Sequence, residues 1–386
     1  MKKILIVNNN LHIGGVQRAL VNLLWSAGDQ YDITLLLFAN VGACRKELPP
    51  NVKVITLKSG YRYLGLAGSD VKRKKEKLSR AFYAGISRLI GRSFAVRLMG
   101  LGQKKLTGFD VAISYLHNGG DRVFYGGCND FVLRHVDAKK KITFLHCDFR
   151  LCGANTPKNR RQYGRFDAIA ACSQGCADSF LAACPELQKK TKVVYNCHNF
   201  LGIQAMAEAE PQLLSQRLNL VTVARLGKEK GVERAIEALW QLGDIREQLH
   251  YYIVGDGIQR PVLEAMIQKY QLQNVVTLCG AKNNPYGYVK AADLLWIPSY
   301  SEAAPLVIHE AASLGVPVLS TCTSSAREMI EETGFGWICE NHISGMTQQL
   351  RQLQQDTSLI VEKKAFLKQQ SFQNTQALQQ FAAVIE

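Results

Sequence analysis

The chain has 386 residues, more than one hydrophobic core usually holds, and this length predicts two domains of roughly 150–200 residues each. Hydrophobic residues make up 47% of the chain and charged residues 20%, a balance that excludes a disordered chain and is typical of a folded enzyme. The net charge is +15, and no run of about 18 apolar residues occurs, so we predict no transmembrane helix.

Short apolar runs alternate with helical patterns through the first half of the chain. Most of these runs are continuously apolar, as in strands that are buried on both faces of a parallel sheet. Helices are predicted between them, for example over residues 16–25 and 176–183. The predicted strands are residues 4–7, 33–38, 52–57, 111–115, 142–145, 168–172 and 193–195.

The second half repeats the alternation, which indicates a second doubly wound α/β domain. Its predicted strands are residues 220–224, 251–254, 275–278, 294–297 and 316–320. Its predicted helices are residues 232–242, 262–270, 288–292 and 305–314.

The domain boundary is predicted near residues 197–216, a stretch without strand character that is rich in Ala, Glu and Gln. We predict a Rossmann-like domain over 1–198, a second one over 217–370, and a C-terminal helix over 371–386 that packs back on the first domain. Ligands of open α/β sheets bind beyond the carboxyl ends of the strands. The two domains are therefore expected to face a central cleft that holds the site.

The positive charge is concentrated between residues 72 and 105, which contain eleven Lys or Arg and one acid, Glu76. Apolar residues at 82, 86, 89 and 90 recur at helical spacing, and Arg80, Arg88, Arg92 and Arg97 are expected on the opposite face. A basic amphipathic helix of this kind can bind an anionic membrane surface. A solvated basic face explains the same pattern, so both interpretations stay open.

The cysteines indicate the compartment. Eleven are scattered along the chain without a Cys-x-x-Cys pair or the Cys/His spacing of a zinc site. Cys147 and Cys152 are near enough in sequence to approach one another, as are Cys172 and Cys176. The odd count in a long chain nevertheless favours free thiols in a reducing cytoplasm, and we predict no metal site.

Several chemistry-bearing residues follow predicted strands. Gly14 and Gly15 stand at a strand-to-helix turn, where backbone N–H groups can approach a ligand. Arg225 and Lys230 flank a loop at the carboxyl end of a strand, where two cations can neutralise a diphosphate. His146 directly follows another strand. Solvated loop charge and a structural histidine are the alternatives.

Glu302 and Glu310 lie eight positions apart around the start of a predicted helix. A helix start that binds a diphosphate through its free N–H groups, and a sugar and a ribose through flanking side chains, requires two carboxylates placed in this way. Gly255-Asp256-Gly257 follows a strand and lacks the third glycine of a dinucleotide fingerprint, which argues against NAD.

Together these motifs resemble glycosyltransferase family 4, whose members are retaining, nucleotide-sugar-dependent enzymes of GT-B fold. The resemblance spans essentially the whole chain. It includes the glycine loop, the cation pair five residues apart, the Gly-Asp-Gly turn and the Glu-x7-Glu signature. Ala303-Ala304-Pro305 replaces the more usual Gly-Phe-Gly run and resembles the capsule and cell-wall polysaccharide members.

The resemblance implies a role for each residue. Arg225 and Lys230 would bind the donor diphosphate, and Glu310 would bind the nucleotide ribose. Glu302 and His146 would lie at the donor sugar, so that the catalytic set is Glu302, His146, Arg225 and Lys230. The implied donor-binding residues are Gly14, Gly15, Arg225, Lys230, Gly255, Ala303, Ala304, Leu306 and Glu310.

We therefore predict a retaining hexosyltransferase that uses a nucleotide diphosphate sugar, UDP-linked rather than GDP-linked, in capsule or cell-envelope polysaccharide synthesis. The acceptor would be a glycan or a lipid-linked glycan, and neither a cofactor nor a metal ion is implied. A nucleotide-sugar epimerase of GT-B shape is the alternative enzyme. Nucleic-acid binding by the basic region is disfavoured, because the chain contains no nucleic-acid motif. The protein is expected in the cytoplasm, with the inner face of the membrane as a peripheral site.

Overall fold

A computed structural model describes residues 1–212 and 214–386, and they form two compact units. The first unit contains residues 1–197 and 374–386, and the second contains residues 198–373. Each unit has one sheet whose strands all pair in parallel, with helices between them. The predicted α/β class with two parallel-sheet domains is therefore confirmed.

The first unit is built on a sheet of seven strands in its described residues. The strands are β1 (Lys3–Asn8), β2 (Asp32–Leu37), β3 (Lys53–Thr56), β4 (Leu106–Ser114), β5 (Val136–Leu145), β6 (Ala168–Ala171) and β7 (Thr191–Val193). They lie side by side in the order β3-β2-β1-β4-β5-β6-β7. Residues 4–7 of the interior strand β1 are completely buried. Ile4 and Ile6 pack in one hydrophobic cluster and Leu5 and Val7 in another, so apolar side chains cover both faces of the sheet.

The second unit repeats this design with six strands in its described residues. The strands are β8 (Leu218–Val223), β9 (Leu249–Val254), β10 (Val276–Gly280), β11 (Leu294–Ile297), β12 (Val318–Thr321) and β13 (Gly336–Cys339). They lie side by side in the order β10-β9-β8-β11-β12-β13. Leu220 and Val221 again belong to different clusters on opposite faces of the sheet.

The helices connect the strands and cover the sheets. Those of the first unit are α1 (Gly15–Ala27), α2 (Arg62–Gly65), α3 (Lys74–Leu89), α4 (Arg92–Met99), α5 (Cys128–His135), α6 (Pro157–Tyr163) and α7 (Gln174–Leu181). Those of the second unit are α8 (Phe200–Ala209), α9 (Val232–Gln241), α10 (Arg260–Lys269), α11 (Tyr286–Ala291), α12 (Leu306–Ser313), α13 (Ile343–Gln355) and α14 (Ser358–Lys368).

The last helix, α15 (Thr375–Ile385), belongs to the first unit. Phe381 and Ile385 are buried in one of that unit's clusters, and the Phe381 ring meets Tyr31 edge-on. The Lys2 ammonium donates to the Ile385 carbonyl at 3.1 Å. Both apolar packing and hydrogen bonds thus fix the end of the chain to the first sheet.

Two strand predictions require correction. The last strand of the first unit is Thr191–Val193 instead of residues 193–195. The strand Gly336–Cys339 was not predicted, because it has four residues, begins with glycine and is fully buried only at Cys339. It is the outer strand beside β12, where less apolar surface is needed.

The basic region also differs from its prediction. Residues 74–89 do form a helix, and Phe82, Leu89 and Ile90 are exposed. Arg92, expected on the polar face, is buried, and its guanidinium donates to Asp130 at 2.7 Å and to Asn159 at 2.9 Å. Helical periodicity could not indicate partners that lie 38 and 67 residues further along the chain.

Candidate active site

The carboxyl ends of the strands in the second sheet lead into loops that hydrogen-bond to one another. The Leu226 N–H, after β8, donates to the Asp256 carbonyl, after β9, at 2.9 Å. The Tyr300 N–H, after β11, donates to the Glu229 carbonyl at 3.0 Å. Three of the predicted motifs are therefore held together at one edge of one sheet.

Lys230 and Glu302 meet at this edge. The Lys230 ammonium lies 2.7 Å from a carboxylate oxygen of Glu302, and their side chains are 26% and 11% exposed. The Ser299 hydroxyl donates to the same oxygen at 2.6 Å, and the Ser324 hydroxyl donates to the Glu302 carbonyl at 2.8 Å. The sequence separates this cation and this carboxylate by 72 residues, and the fold brings them into contact.

Arg225, in contrast, points toward solvent. Its side chain is 68% exposed and forms an ion pair with Glu229 on the same loop. Such exposed pairs contribute little to stability, about 0–1 kcal/mol. The guanidinium can thus exchange Glu229 for another anion at low cost.

The Gly-Asp-Gly turn has a packing reason for its first glycine. A Cβ at Gly255 would lie 1.8 Å from the Ala224 carbonyl oxygen, and its φ of 152° is one that other residues rarely adopt. The Gly255 N–H donates to the Gly280 carbonyl at 2.9 Å. Gly255 therefore permits close approach of the β8 and β9 loops, and a ligand is not needed to explain it.

Glu310 lies in α12 and is buried. The Tyr286 hydroxyl donates to its carboxylate at 3.3 Å. Ala303 and Ala304 precede the helix, and Leu306 is its first, buried residue. The predicted carboxylate pair is thus divided: Glu302 binds Lys230, and Glu310 lies inside the helix with Tyr286 as a partner.

Arg234 is a site residue that the sequence analysis did not identify. This buried side chain donates to the Pro298 carbonyl at 2.5 Å and to the Asn341 side chain at 2.8 Å. Its guanidinium lies 3.6 Å from the centre of the Tyr300 ring. These contacts fix the loop that carries Ser299 and Glu302.

A charged residue among the apolar positions of α9 was the available signal for Arg234. Asn341 lies two residues after the end of β13, so it could not be placed while that strand was missing from the prediction. Its side-chain N–H group donates to the Tyr300 carbonyl at 3.1 Å and to the Cys322 carbonyl at 3.2 Å.

In the first unit, His146 directly follows β5 and stacks against aromatic rings. Its ring centre lies 4.7 Å from that of Tyr115 and 5.7 Å from that of Phe144. Burial lowers the pKa of His146 to about 3, and burial lowers the pKa of nearby His117 to about 4. Both imidazoles are therefore neutral at pH 7, and within the described residues the Nε2 atom of His146 has no hydrogen-bond partner.

The glycine pair of the first unit lies at the start of α1. Gly14 precedes the helix, and Gly15 is its first residue. A Cβ at Gly15 would meet no atom of the described chain within 4 Å. Packing within the chain therefore gives no reason for glycine at this position, unlike at Gly255.

Two further observations concern metal ions and the membrane. Within residues 1–212 and 214–386, no group of three or more His, Cys, Asp or Glu side chains is arranged to hold a metal ion. In the same residues, no helix combines the length and the apolar character that crossing a bilayer requires.

The sequence of the second unit matches a known family. The match is to the family described as glycosyl transferases group 1, and it covers residues 207–371. The matched segment contains Arg225, Lys230, Glu302 and Glu310, and the match confirms the predicted resemblance to glycosyltransferases.

Individual relatives agree with the family. The putative colanic acid biosynthesis glycosyltransferase WcaL of Escherichia coli is 36% identical over 162 residues, 38% of this chain and 39% of the relative. The lipopolysaccharide glucosyltransferase WaaG of Escherichia coli is 34% identical over 110 residues, 28% of this chain and 29% of the relative. The chain thus matches less than two fifths of the length of either protein.

A solved structure extends the likeness to the whole fold. Anabaena HepE in complex with UDP has a TM-score of 0.68 and 19% sequence identity, with 100% of this chain and 99% of that chain covered. The predicted GT-B fold, with two α/β domains, is therefore confirmed. The epimerase alternative finds no support among these relatives.

Proposed function

We propose that this protein is a retaining glycosyltransferase of cell-envelope polysaccharide synthesis. It moves a hexose from a nucleotide diphosphate sugar to a glycan or a lipid-linked glycan, without a metal ion or another cofactor. UDP is the expected nucleotide, since HepE has been solved with UDP and UDP-glucose. The cell-envelope assignment follows the colanic acid and lipopolysaccharide relatives.

The observation that carries the proposal is the Lys230–Glu302 ion pair at the carboxyl edge of the second sheet. Open α/β sheets bind ligands at this edge. A diphosphate placed there carries the charge that Lys230 and Arg225 can neutralise, and it competes with Glu302 and Glu229 for them. Once Lys230 has moved to the diphosphate, the Glu302 carboxylate is available for a sugar hydroxyl.

The other residues receive the roles that the family resemblance implies. Glu310, buried in α12, binds the ribose, and the loop of Ala303 and Ala304 lies beside the donor sugar. Gly15 at the start of α1 leaves space for a ligand group near the helix N-terminus. His146, neutral at pH 7, can exchange hydrogen bonds with sugar hydroxyls without carrying charge.

Catalysis then depends on positioning and on stabilising the leaving group. The bond between the anomeric carbon and the diphosphate oxygen breaks, and negative charge develops on the diphosphate. Lys230 and Arg225 stabilise that charge, and Glu302 stabilises positive character on the sugar ring. The diphosphate accepts the proton of the acceptor hydroxyl, so no side chain has to act as a base.

The proposed function is tested by incubating the purified chain with a panel of UDP- and GDP-linked hexoses and a lipid-linked or oligosaccharide acceptor. We expect one nucleoside diphosphate to be released, and only when an acceptor is present. NMR of the product should show the same anomeric configuration as in the donor sugar. Release without an acceptor at the same rate, or conversion of the donor sugar to its epimer, would refute the transferase assignment.

The region of residues 72–105 is proposed to bind an anionic membrane surface. Leu78, Phe82 and Leu89 of α3 are 71%, 58% and 81% exposed. Their spacing places them on one stripe of the helix, since residues 4 and 11 positions apart share a face. Exposed Lys74 and Lys75 flank the stripe on its two sides. An apolar stripe bordered by lysines complements a bilayer with anionic headgroups.

Co-sedimentation with vesicles tests the membrane proposal. We expect binding to vesicles that contain phosphatidylglycerol and weaker binding to phosphatidylcholine vesicles. The double variant L78S/F82S should bind several-fold more weakly than the wild type, and W240S, at an exposed aromatic residue of α9, serves as the control. Equal binding to both vesicle types would contradict the proposal.

A further inference from the structure

Two cysteines of the first unit lie in contact in the loop that follows β5. The Sγ atoms of Cys147 and Cys152 are 3.0 Å apart, and both residues are free thiols. Cys147 is buried and Cys152 is exposed. The pair therefore combines one thiol that a solute can reach with one that it cannot.

The protein holds the two thiols in place. The Cys152 N–H donates to the Asp148 carbonyl at 2.9 Å, and the Asp148 side chain accepts hydrogen bonds from Arg150 N–H and from the Ser179 hydroxyl. The Cys176 thiol donates to the Cys147 carbonyl at 3.1 Å. Because these bonds fix the loop, the sulfur contact is a built feature of the native backbone.

The chemistry of the two thiols differs in a direction that suits oxidation. The hydrogen bond with Cys147 lowers the pKa of the Cys152 thiol, and the same hydrogen bond, together with burial, raises the pKa of Cys147. The exposed sulfur is therefore the one that more readily becomes the reactive thiolate, and the buried sulfur keeps its proton.

We propose that Cys147 and Cys152 are a modification site, a thiol pair that hydrogen peroxide oxidises reversibly to a disulfide. Cys152 attacks one peroxide oxygen, the O–O bond breaks, and the other oxygen leaves as hydroxide and takes up a proton to form water. The sulfur of Cys147 then attacks the sulfenic sulfur of Cys152, and the hydroxyl group leaves with the Cys147 proton as a second water. Two thiols lose two electrons, and one peroxide becomes two waters.

The contact between the two sulfur atoms makes the attack of Cys147 on the oxidised Cys152 fast. A disulfide needs an S–S distance of about 2.05 Å, so the sulfur atoms have to approach by about 1 Å. The hydrogen bonds to Asp148 already hold the backbone of the loop in a closed conformation. The proposal does not depend on transferase activity, because it concerns only the oxidation state of this loop.

The experiment treats the full-length protein with hydrogen peroxide and maps its peptides by mass spectrometry with and without a dithiol reductant. We expect a Cys147–Cys152 disulfide, with the loss of two hydrogen atoms, that the reductant reverses. Cys147→Ser should accumulate a sulfenic acid at Cys152 that dimedone traps, and Cys152→Ser should leave Cys147 reduced. Cys322→Ser, which removes another exposed cysteine, should behave as the wild type.

Two results would overturn the proposal. One is a wild-type protein, with native circular dichroism, in which peroxide oxidises Cys152 to sulfinic or sulfonic acid without forming the disulfide. The other is a Cys152→Ser variant, equally well folded, that loses the Cys147 thiol at the wild-type rate. Because Cys152 is exposed, its substitution by serine is not expected to impair folding.

Discussion

The two sheets have a similar strand order, but the side chains at their carboxyl edges differ in charge. The edge of the second sheet presents Lys230 in an ion pair with Glu302 and exposed Arg225 with Glu229. The edge of the first sheet presents His146 and His117, which burial keeps neutral at pH 7, beside aromatic rings. Strand topology thus determines where a ligand can bind, and the charges of the loop residues determine whether a charged or an uncharged ligand group is favoured there.

The contrast assigns different ligand groups to the two edges. Cations that are paired with exchangeable carboxylates suit a diphosphate, and neutral imidazole and aromatic rings suit an uncharged sugar. A charge-removing substitution should therefore affect turnover strongly at the second edge. At the carboxyl edge of the first sheet, His146 should make the free energy of unfolding depend on pH.

The largest effect is expected from the Lys230–Glu302 pair. Lys230→Ala and Glu302→Gln should each lower turnover with a nucleotide-sugar donor by about 10²–10³-fold, as the loss of one charge-stabilising group does in other enzymes. Steady-state kinetics with the purified variants measure this change.

The matched control is a second ion pair of the same domain. Lys364 and Asp293 are also 2.7 Å apart, with side chains 28% and 31% exposed, but Asp293 precedes β11 at the opposite edge of the sheet. Lys364→Ala should leave turnover near the wild-type value. If both lysine variants lose turnover equally, the effect comes from the stability of the domain and the assignment fails.

A smaller effect is expected at Arg225, because its side chain is exposed and the diphosphate also contacts Lys230. Arg225→Ala should raise the donor KM by about tenfold, equivalent to about 1.4 kcal/mol of binding free energy. Arg327 is the control, since it is also exposed and also pairs with a glutamate four residues later. An unchanged KM in Arg225→Ala would remove Arg225 from the donor site.

The smallest effect concerns stability at the first edge. His146 has a pKa of about 3 in the folded chain and an ordinary value near 6.5 when unfolded, so between these values only the unfolded chain binds the proton. The free energy of unfolding therefore decreases as the pH falls below about 6.5. At pH 5 the loss from this group is up to about 2 kcal/mol.

Urea unfolding at pH 7.5 and pH 5 measures this loss. His146→Phe keeps an aromatic ring against Tyr115 and Phe144 and should be less sensitive to pH than the wild type. A variant with the wild-type pH dependence would show that folding does not lower the pKa of His146, and the contrast between the edges would weaken.

Much of the fold could be predicted because buried parallel strands are continuous apolar runs, as residues 4–7 illustrate. The same rule failed at Gly336–Cys339, where an outer strand is only partly buried. The loop positions of Arg225, Lys230 and His146 followed from the predicted strand ends, and that of Glu302 followed from a predicted helix start. Their partners did not, since Lys230 and Glu302 are in contact although they lie 72 positions apart in the sequence.

Side chains inside helices were the hardest to interpret. Arg92 and Arg234 both occur in helical patterns, where a charged residue normally faces solvent. Both are buried, and distant carboxylate, amide and carbonyl groups accept hydrogen bonds from their terminal guanidinium nitrogens. Phe82 and Leu89 show the reverse, since their apolar stripe faces outward. Helical periodicity shows which residues share a face of a helix, but contacts with distant parts of the chain determine which face is buried.

Titration calorimetry with UDP tests most directly whether the carboxyl edge of the second sheet binds the donor diphosphate. The wild type and Lys364→Ala should bind UDP with similar affinity, and Lys230→Ala should bind it at least about tenfold more weakly. Equal affinity of wild type and Lys230→Ala for UDP would contradict the assignment of this edge.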